Sequence, residues 1–78
     1  MNADRRKRLT KLLSDLEGLR ASVEEVRDEE QEAFDGMPEG LQGSEKGERA
    51  SECCQSLDSA VDSLQSAFDD IENASADA

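Results

Sequence analysis

The sequence predicts an all-α fold: a two-helix antiparallel hairpin, similar to a coiled coil, that assembles into a homo-oligomeric helical bundle. Two segments of similar length carry apolar residues at alternating spacings of three and four, the period of a helical seam. Three of the five glycines and the only proline separate these segments. Because only 35% of the 78 residues are hydrophobic, the core must be narrow, and self-association is the cheapest source of further burial.

The first helix is predicted over about residues 3–35 of one domain that spans residues 1–78. Asn2 or Asp4 can cap the first turn or place a favourable negative charge there, and Gly36 followed by Pro38 ends the helix. In heptad notation, positions a are 9, 16, 23 and 30, and positions d are 12, 19, 26 and 33. The seam residues of this helix are Leu9, Leu12, Leu16, Leu19, Val23 and Val26, and Leu13 widens the seam.

A loop is predicted over about residues 36–44, with one possible helical turn after Pro38. Ser44 can cap a second helix over about residues 45–73, and the small, polar residues 74–78 are expected to fray. This helix has small residues at its d positions, Ala60, Ala67 and Ala74, which favour close helix packing. Its larger seam residues are Leu57, Val61, Leu64, Phe68 and Ile71.

Reflection about the loop centre predicts the pairing of the two helices. It places Leu16 opposite Leu64 and Glu30 opposite Arg49, a charged pair that would fix the register. It also places the basic residues 5–8 beside Asp69, Asp70 and Glu72. Those carboxylates would offset the unfavourable position of four cations at a helix N-terminus.

The residue inventory favours a non-enzymatic protein with no catalytic residues, no cofactor and no metal site. Histidine is absent, which removes the commonest general base and metal ligand. Cys53 is interpreted as a small apolar seam residue, with Cys54 beside it one step round the helix. The alternative is a redox switch or a soft-metal site that a second subunit would have to complete.

The net charge of −11 predicts a partner with a basic surface and disfavours direct binding to nucleic acid or to anionic membranes. No apolar run exceeds two residues, so a cytoplasmic protein without a membrane span is expected. An apolar group at the loop end either closes the end of the bundle or forms an exposed recognition site. It consists of Phe34, Met37, Pro38 and Leu41. The candidate partner-binding residues are Glu24, Glu25, Asp28, Glu29, Glu32, Phe34, Met37, Leu41, Asp58, Asp62, Asp69 and Asp70.

The stretch from Arg27 to Glu48 carries Asp-Glu-Glu-Gln-Glu, Met-Pro-Glu, Leu-Gln and Ser-Glu in that order. This pattern resembles the central signature of a group of small, uncharacterised, acidic helical-hairpin proteins encoded by phages and prophages. The resemblance closely covers about a quarter of the chain and implies a setting in the cytosol of a host cell. It also implies a role such as inhibiting a host defence system, for example CRISPR, or assisting replication or assembly.

Three functions follow as hypotheses. The first is a homo-oligomer, with a dimer expected, that blocks a basic site on a host or phage protein through its acidic helical faces. The second is a structural or adaptor module for assembly or replication without an inhibitory role. The third is an oligomeric sponge for an anionic nucleotide, for which subunits would have to pool Arg20, Arg27, Lys46 and Arg49.

Overall fold

The computed structural model describes residues 1–76, which form three helices and no strand. Two helices are long, α1 over Ala3–Asp35 and α3 over Glu45–Ala76, and a single turn, α2, covers Glu39–Gln42. The all-α class is therefore confirmed, with one short helix more than the two predicted. The second long helix extends three residues beyond the predicted end near residue 73 and includes residues 74–76. The rest of the predicted frayed tail, residues 77 and 78, lies outside the described residues.

Local side-chain signals account for the ends of α1. The Asn2 side chain caps the helix by accepting a hydrogen bond from the backbone N–H of Arg5 at 2.9 Å, and Asp4 lies in the first turn. At the other end, the Gly36 N–H donates to the Glu32 carbonyl at 2.9 Å. Gly36 has φ −78°, so α1 ends without a left-handed residue.

The connection is built around close packing of α2 on the start of α3. The N–H of Leu41 donates to the carbonyl of Pro38 at 2.8 Å, which closes the single turn of α2. Ser44 caps α3 as predicted, because its hydroxyl accepts a hydrogen bond from the N–H of Gly47 at 3.4 Å. Gly47 is buried, and a Cβ atom there would overlap the carbonyl oxygens of Leu41 and Gln42. Glycine is therefore required by packing at this position.

The two long helices lie side by side and run in opposite directions. Each is about 50 Å long at 1.5 Å per residue, and the principal extents of the chain are 58 × 15 × 12 Å. A rod of that length accommodates both helices only when they overlap along most of their length. Arg27 of α1 and Asp58 of α3 form an ion pair at 3.2 Å across this contact.

The register differs from the predicted one by about a helical turn. Ile71 shares a surface groove with Leu12, Leu16 and Leu19. The predicted reflection, which pairs Leu16 with Leu64, places Ile71 opposite Leu9 instead. The start of α3 therefore extends past the end of α1, and α2 packs against this first turn. The predicted Glu30–Arg49 pair is also absent from the described residues. Arg49 instead pairs with Glu45 at 2.6 Å, although Glu30 and Arg49 line one groove.

The contact between the helices uses positions a and e, whereas the predicted seam used a and d. The half-buried residues of α1 on this contact are Leu9, Leu13, Leu16, Arg20, Val23, Arg27, Glu30 and Phe34. On α3 the two buried apolar residues are Cys54 (5% exposed) and Val61 (7% exposed), both at position e. The predicted d residues Leu12, Leu19 and Val26 lie outside this contact and are exposed.

Candidate functional site

One face of the helical pair is apolar and open to solvent. Leu12, Leu19 and Val26 are each about half exposed (51, 53 and 50%). Because each residue advances about 100° around a helix, position d lies about 60° from position a, on the side away from e. In an antiparallel pair this puts the d rows of both helices on one face, which we call the apolar face. Its α3 members are Cys53, Ala60, Ala67 and Ala74.

A shallow groove runs along this face. Leu12, Leu16 and Leu19 line it together with Ile71, so side chains from both helices meet there. Nearer the N-terminus, Met1, Leu9 and Leu12 line a second depression that Arg5 and Arg8 flank. The apolar face therefore extends over much of α1.

On the side away from the apolar face, two arginines at position e of α1 border the contact between the helices and form ion pairs. Arg20 pairs with Glu24 at 2.7 Å, and both side chains are about a quarter to a third exposed. Arg27 contacts Asp28 at 3.1 Å and Asp58 at 3.2 Å. The hydrogen bond to Asp28 raises the pKa of Arg27, and the charge of Asp58 acts in the same direction. The sequence interpretation missed these two arginines as packing residues, although their seven-residue spacing is a heptad signal.

The predicted acidic binding residues fall into two groups. Glu24, Asp28 and Asp58 are occupied by the arginine pairs just described. The carboxylates of Glu25, Glu29, Glu32, Asp62, Asp69 and Asp70 are exposed and form no ion pair within the described residues. Asp69 accepts a hydrogen bond from Gln65.

The apolar group at the loop end is divided between packing and exposure. Phe34 and Met37 are half-buried, whereas Leu41 is 49% exposed. The side-chain amide of Gln42 donates hydrogen bonds to the carbonyls of Phe34 and Met37, both at 3.2 Å. Gln42 thus ties α2 to the end of α1, a role that the sequence interpretation did not assign.

The two cysteines occupy different environments. Cys54 is buried between the helices, whereas Cys53, the residue favoured for the seam, is exposed at the edge of the apolar face. Burial raises the pKa of the Cys54 thiol, and the charges of Glu30 and Asp58 act in the same direction. A protonated, buried thiol is a poor nucleophile, so Cys54 serves as a small apolar residue.

Within the described residues, Arg5, Lys7 and Arg8 do not form the predicted ion pairs with Asp69, Asp70 and Glu72. Arg8 pairs with Asp4 of its own helix at 3.2 Å, and Arg6 donates to the carbonyl of Met1 at 3.0 Å. No ion pair within residues 1–76 joins Arg5, Lys7 or Arg8 to those three carboxylates. The shifted register explains this, because it places the segment around Ile71 beside Leu12 to Leu19.

The cations proposed for a nucleotide site are largely engaged elsewhere. Arg20, Arg27 and Arg49 each pair with a carboxylate, and the structure gives no cluster of these three with Lys46. Among the described residues, none of the helices is long and apolar enough to cross a membrane. The same part of the chain brings together no group of three or more metal-ligating side chains.

Comparison of the chain with family models, with curated proteins and with solved structures gives no match.

Proposed function

We propose that this chain is a non-catalytic protein-interaction module of phage or prophage type. In this proposal the hairpin assembles through its apolar face and binds a basic surface of a host or phage protein through its exposed carboxylates. The observation that carries it is the division of the rod into an apolar face and exposed, unpaired acidic positions outside that face. The resemblance of Arg27 to Glu48 to phage-encoded proteins supports a host protein as the partner and inhibition as the outcome.

The acidic part of the proposal rests on carboxylates that have no cation of their own. Glu25, Glu32 and Asp62 are exposed and unpaired within the described residues, so their charge is available to a partner. With a net charge of −11, the chain would be steered toward a basic groove from a distance of about one Debye length, roughly 10 Å at 0.1 M salt. Such binding is strongly salt-dependent.

The test is affinity capture from host lysate in 0.1 M and 1 M salt, where the Debye length falls from about 10 to about 3 Å. Partner capture should weaken steeply in 1 M salt. The triple variant Glu25→Gln, Glu32→Gln, Asp62→Asn should lose capture at low salt, because three unpaired charges are removed.

A matched control removes three carboxylates that already have cation partners, Asp4→Asn, Asp15→Asn and Glu45→Gln. Both triple variants change the net charge from −11 to −8, so only the position of the charges differs. Capture that survives 1 M salt, or that both variants weaken equally, would contradict binding by the acidic positions.

The second candidate function is a structural or adaptor module that works through assembly alone. The open apolar face favours it, since that face needs a protein neighbour whether or not the acids bind anything. In this case the chain would self-associate, and neither triple variant would alter any partner captured from lysate.

A further inference from the structure

The apolar face has the geometry of half a four-helix-bundle core. Positions a and e face the neighbouring helix of the same chain, and position d points about 80° away from the centre of that contact. When a second pair of helices lies on this face, positions a and d of all four helices converge on the bundle axis. The e positions then flank the contact within each chain, where Arg20 and Arg27 make their ion pairs.

One whole side of the rod is about as large as the area that a stable dimer interface buries on each partner. A rectangle of 58 by 15 Å has an area of about 870 Å², compared with about 800 Å² per partner in a standard interface. The chain exposes 5562 Å². A compact monomer of 8.5 kDa is expected to expose about 4,650 Å². The elongated chain therefore exposes about 900 Å² more than a compact monomer of its mass, an amount that covering one side of the rod would offset.

The side chains on the face are complementary in size. Three of the exposed d residues of α1 are large, Leu12, Leu19 and Val26, and the fourth, Ala33, is small. The d residues of α3 are all small: Cys53, Ala60, Ala67 and Ala74. Within a chain, a residue of α1 and a residue of α3 lie at the same height along the rod when their residue numbers sum to about 85, as Arg27 and Asp58 do. The pairs 12 and 74, 19 and 67, and 26 and 60 each sum to 86, so every large residue has a small one at its own level.

We propose that a second copy of this chain covers the apolar face, with the two-fold axis along the rod and both loops at the same end. In this arrangement α1 of each copy packs antiparallel on α3 of the other. Leu19 then lies against Ala67 of the second copy, and large side chains meet small ones at each level. The inference deepens the proposed function by specifying its assembly. It uses a different face from Glu25, Glu32 and Asp62, so either proposal can fail while the other holds.

The first test is the molar mass of the full chain by sedimentation at micromolar concentrations. We expect a dimer, and we expect Leu19→Glu to raise its dissociation constant at least about a hundredfold, a tenfold loss for each of the two leucines. Ala21→Glu adds the same charge at an exposed position outside the apolar face and should remain dimeric.

Leu19 is 53% exposed and also lines a groove with Ile71 of its own chain. If the Leu19→Glu variant unfolds, the disulfide test below, which adds no charge to the face, decides the matter. A wild-type chain that is fully helical and monomeric would overturn the proposal, whatever other protein then occupied the face. A Leu19→Glu variant that dimerises as tightly as Ala21→Glu would also overturn it.

The second test determines which helices meet, using disulfide formation in a Cys53→Ser, Cys54→Ala background. A disulfide requires Cα atoms within about 7 Å. A mixture of Leu19→Cys and Ala67→Cys chains should form mixed dimers, whereas Leu19→Cys alone should not. An Ala21→Cys and Ala67→Cys mixture is the matched control and should stay monomeric on denaturing gels. Dimers from Leu19→Cys alone would show that the two α1 helices face each other and would overturn the arrangement.

Discussion

Replacing Gly47 by alanine should destabilise the protein, although alanine is normally the better helix residue. Alanine stabilises a helix interior by up to about 1 kcal/mol relative to glycine. At this position, however, the new methyl group would overlap the carbonyl oxygens of Leu41 and Gln42, which are backbone atoms and cannot rotate away. Overpacking of this kind costs roughly 1–3 kcal/mol. The cost exceeds the gain over most of this range, and we expect a net loss of up to about 2 kcal/mol.

Gly18→Ala is the matched control, because Gly18 lies inside α1 with nothing within 4 Å of an added Cβ. This variant should gain up to about 1 kcal/mol, so the two substitutions should act in opposite directions. Thermal unfolding at one fixed protein concentration measures both, with about 4–8 °C expected for each kcal/mol in a domain of this size. If Gly47→Ala stabilised the protein as much as Gly18→Ala does, that result would refute the packing argument.

Two further predictions concern groups between the helices. Because burial raises the pKa of Cys54, the native state favours the protonated thiol. The free energy of unfolding should therefore keep its full value below the unfolded-state pKa, about 9, and should fall as the pH rises above it. Urea unfolding between neutral and alkaline pH should show a smaller decline for Cys54→Ala, and an equal decline would contradict the assignment. Arg27→Met keeps an aliphatic stem but removes the ion pair with Asp58, whose side chain is 59% exposed. It should cost less than about 1 kcal/mol, and the cost should shrink in 1 M salt; a cost independent of salt would show that packing dominates.

The helix ends could be predicted from the sequence because their signals are local. Asn2, Ser44 and the Gly36–Pro38 segment act through neighbouring backbone groups, and the structure places them where the sequence interpretation did. The register could not be predicted in this way. Reflection treats the connection as a symmetric loop, whereas α2 packs under the first turn of α3 and displaces that helix by about a turn. Only the close approach at Gly47 makes this packing possible.

The choice of helix face was also beyond the sequence pattern. Positions a, d and e are all candidates for a seam, and heptad spacing alone does not say whether d or e faces the neighbouring helix of the same chain. The sequence interpretation considers Arg20 and Arg27, at position e, only as cations of a nucleotide site. Their guanidinium groups instead reach carboxylates while their aliphatic stems cover the contact. The apolar d row is therefore left outside, which is the feature that supports both proposals.

Salt should affect the two proposed interactions in opposite directions, which allows them to be separated in a single series of measurements. Two chains of −11 each bring together −22 in a dimer, so their mutual repulsion opposes association through the apolar face. Screening reduces that repulsion, and the dimer should tighten between 0.1 M and 1 M salt. Binding of the exposed carboxylates to a basic partner should weaken over the same range. Sedimentation of the chain alone and capture of the partner measure the two trends. A dimer that dissociates as salt is raised would show that ion pairs, and not the apolar face, hold the two copies together.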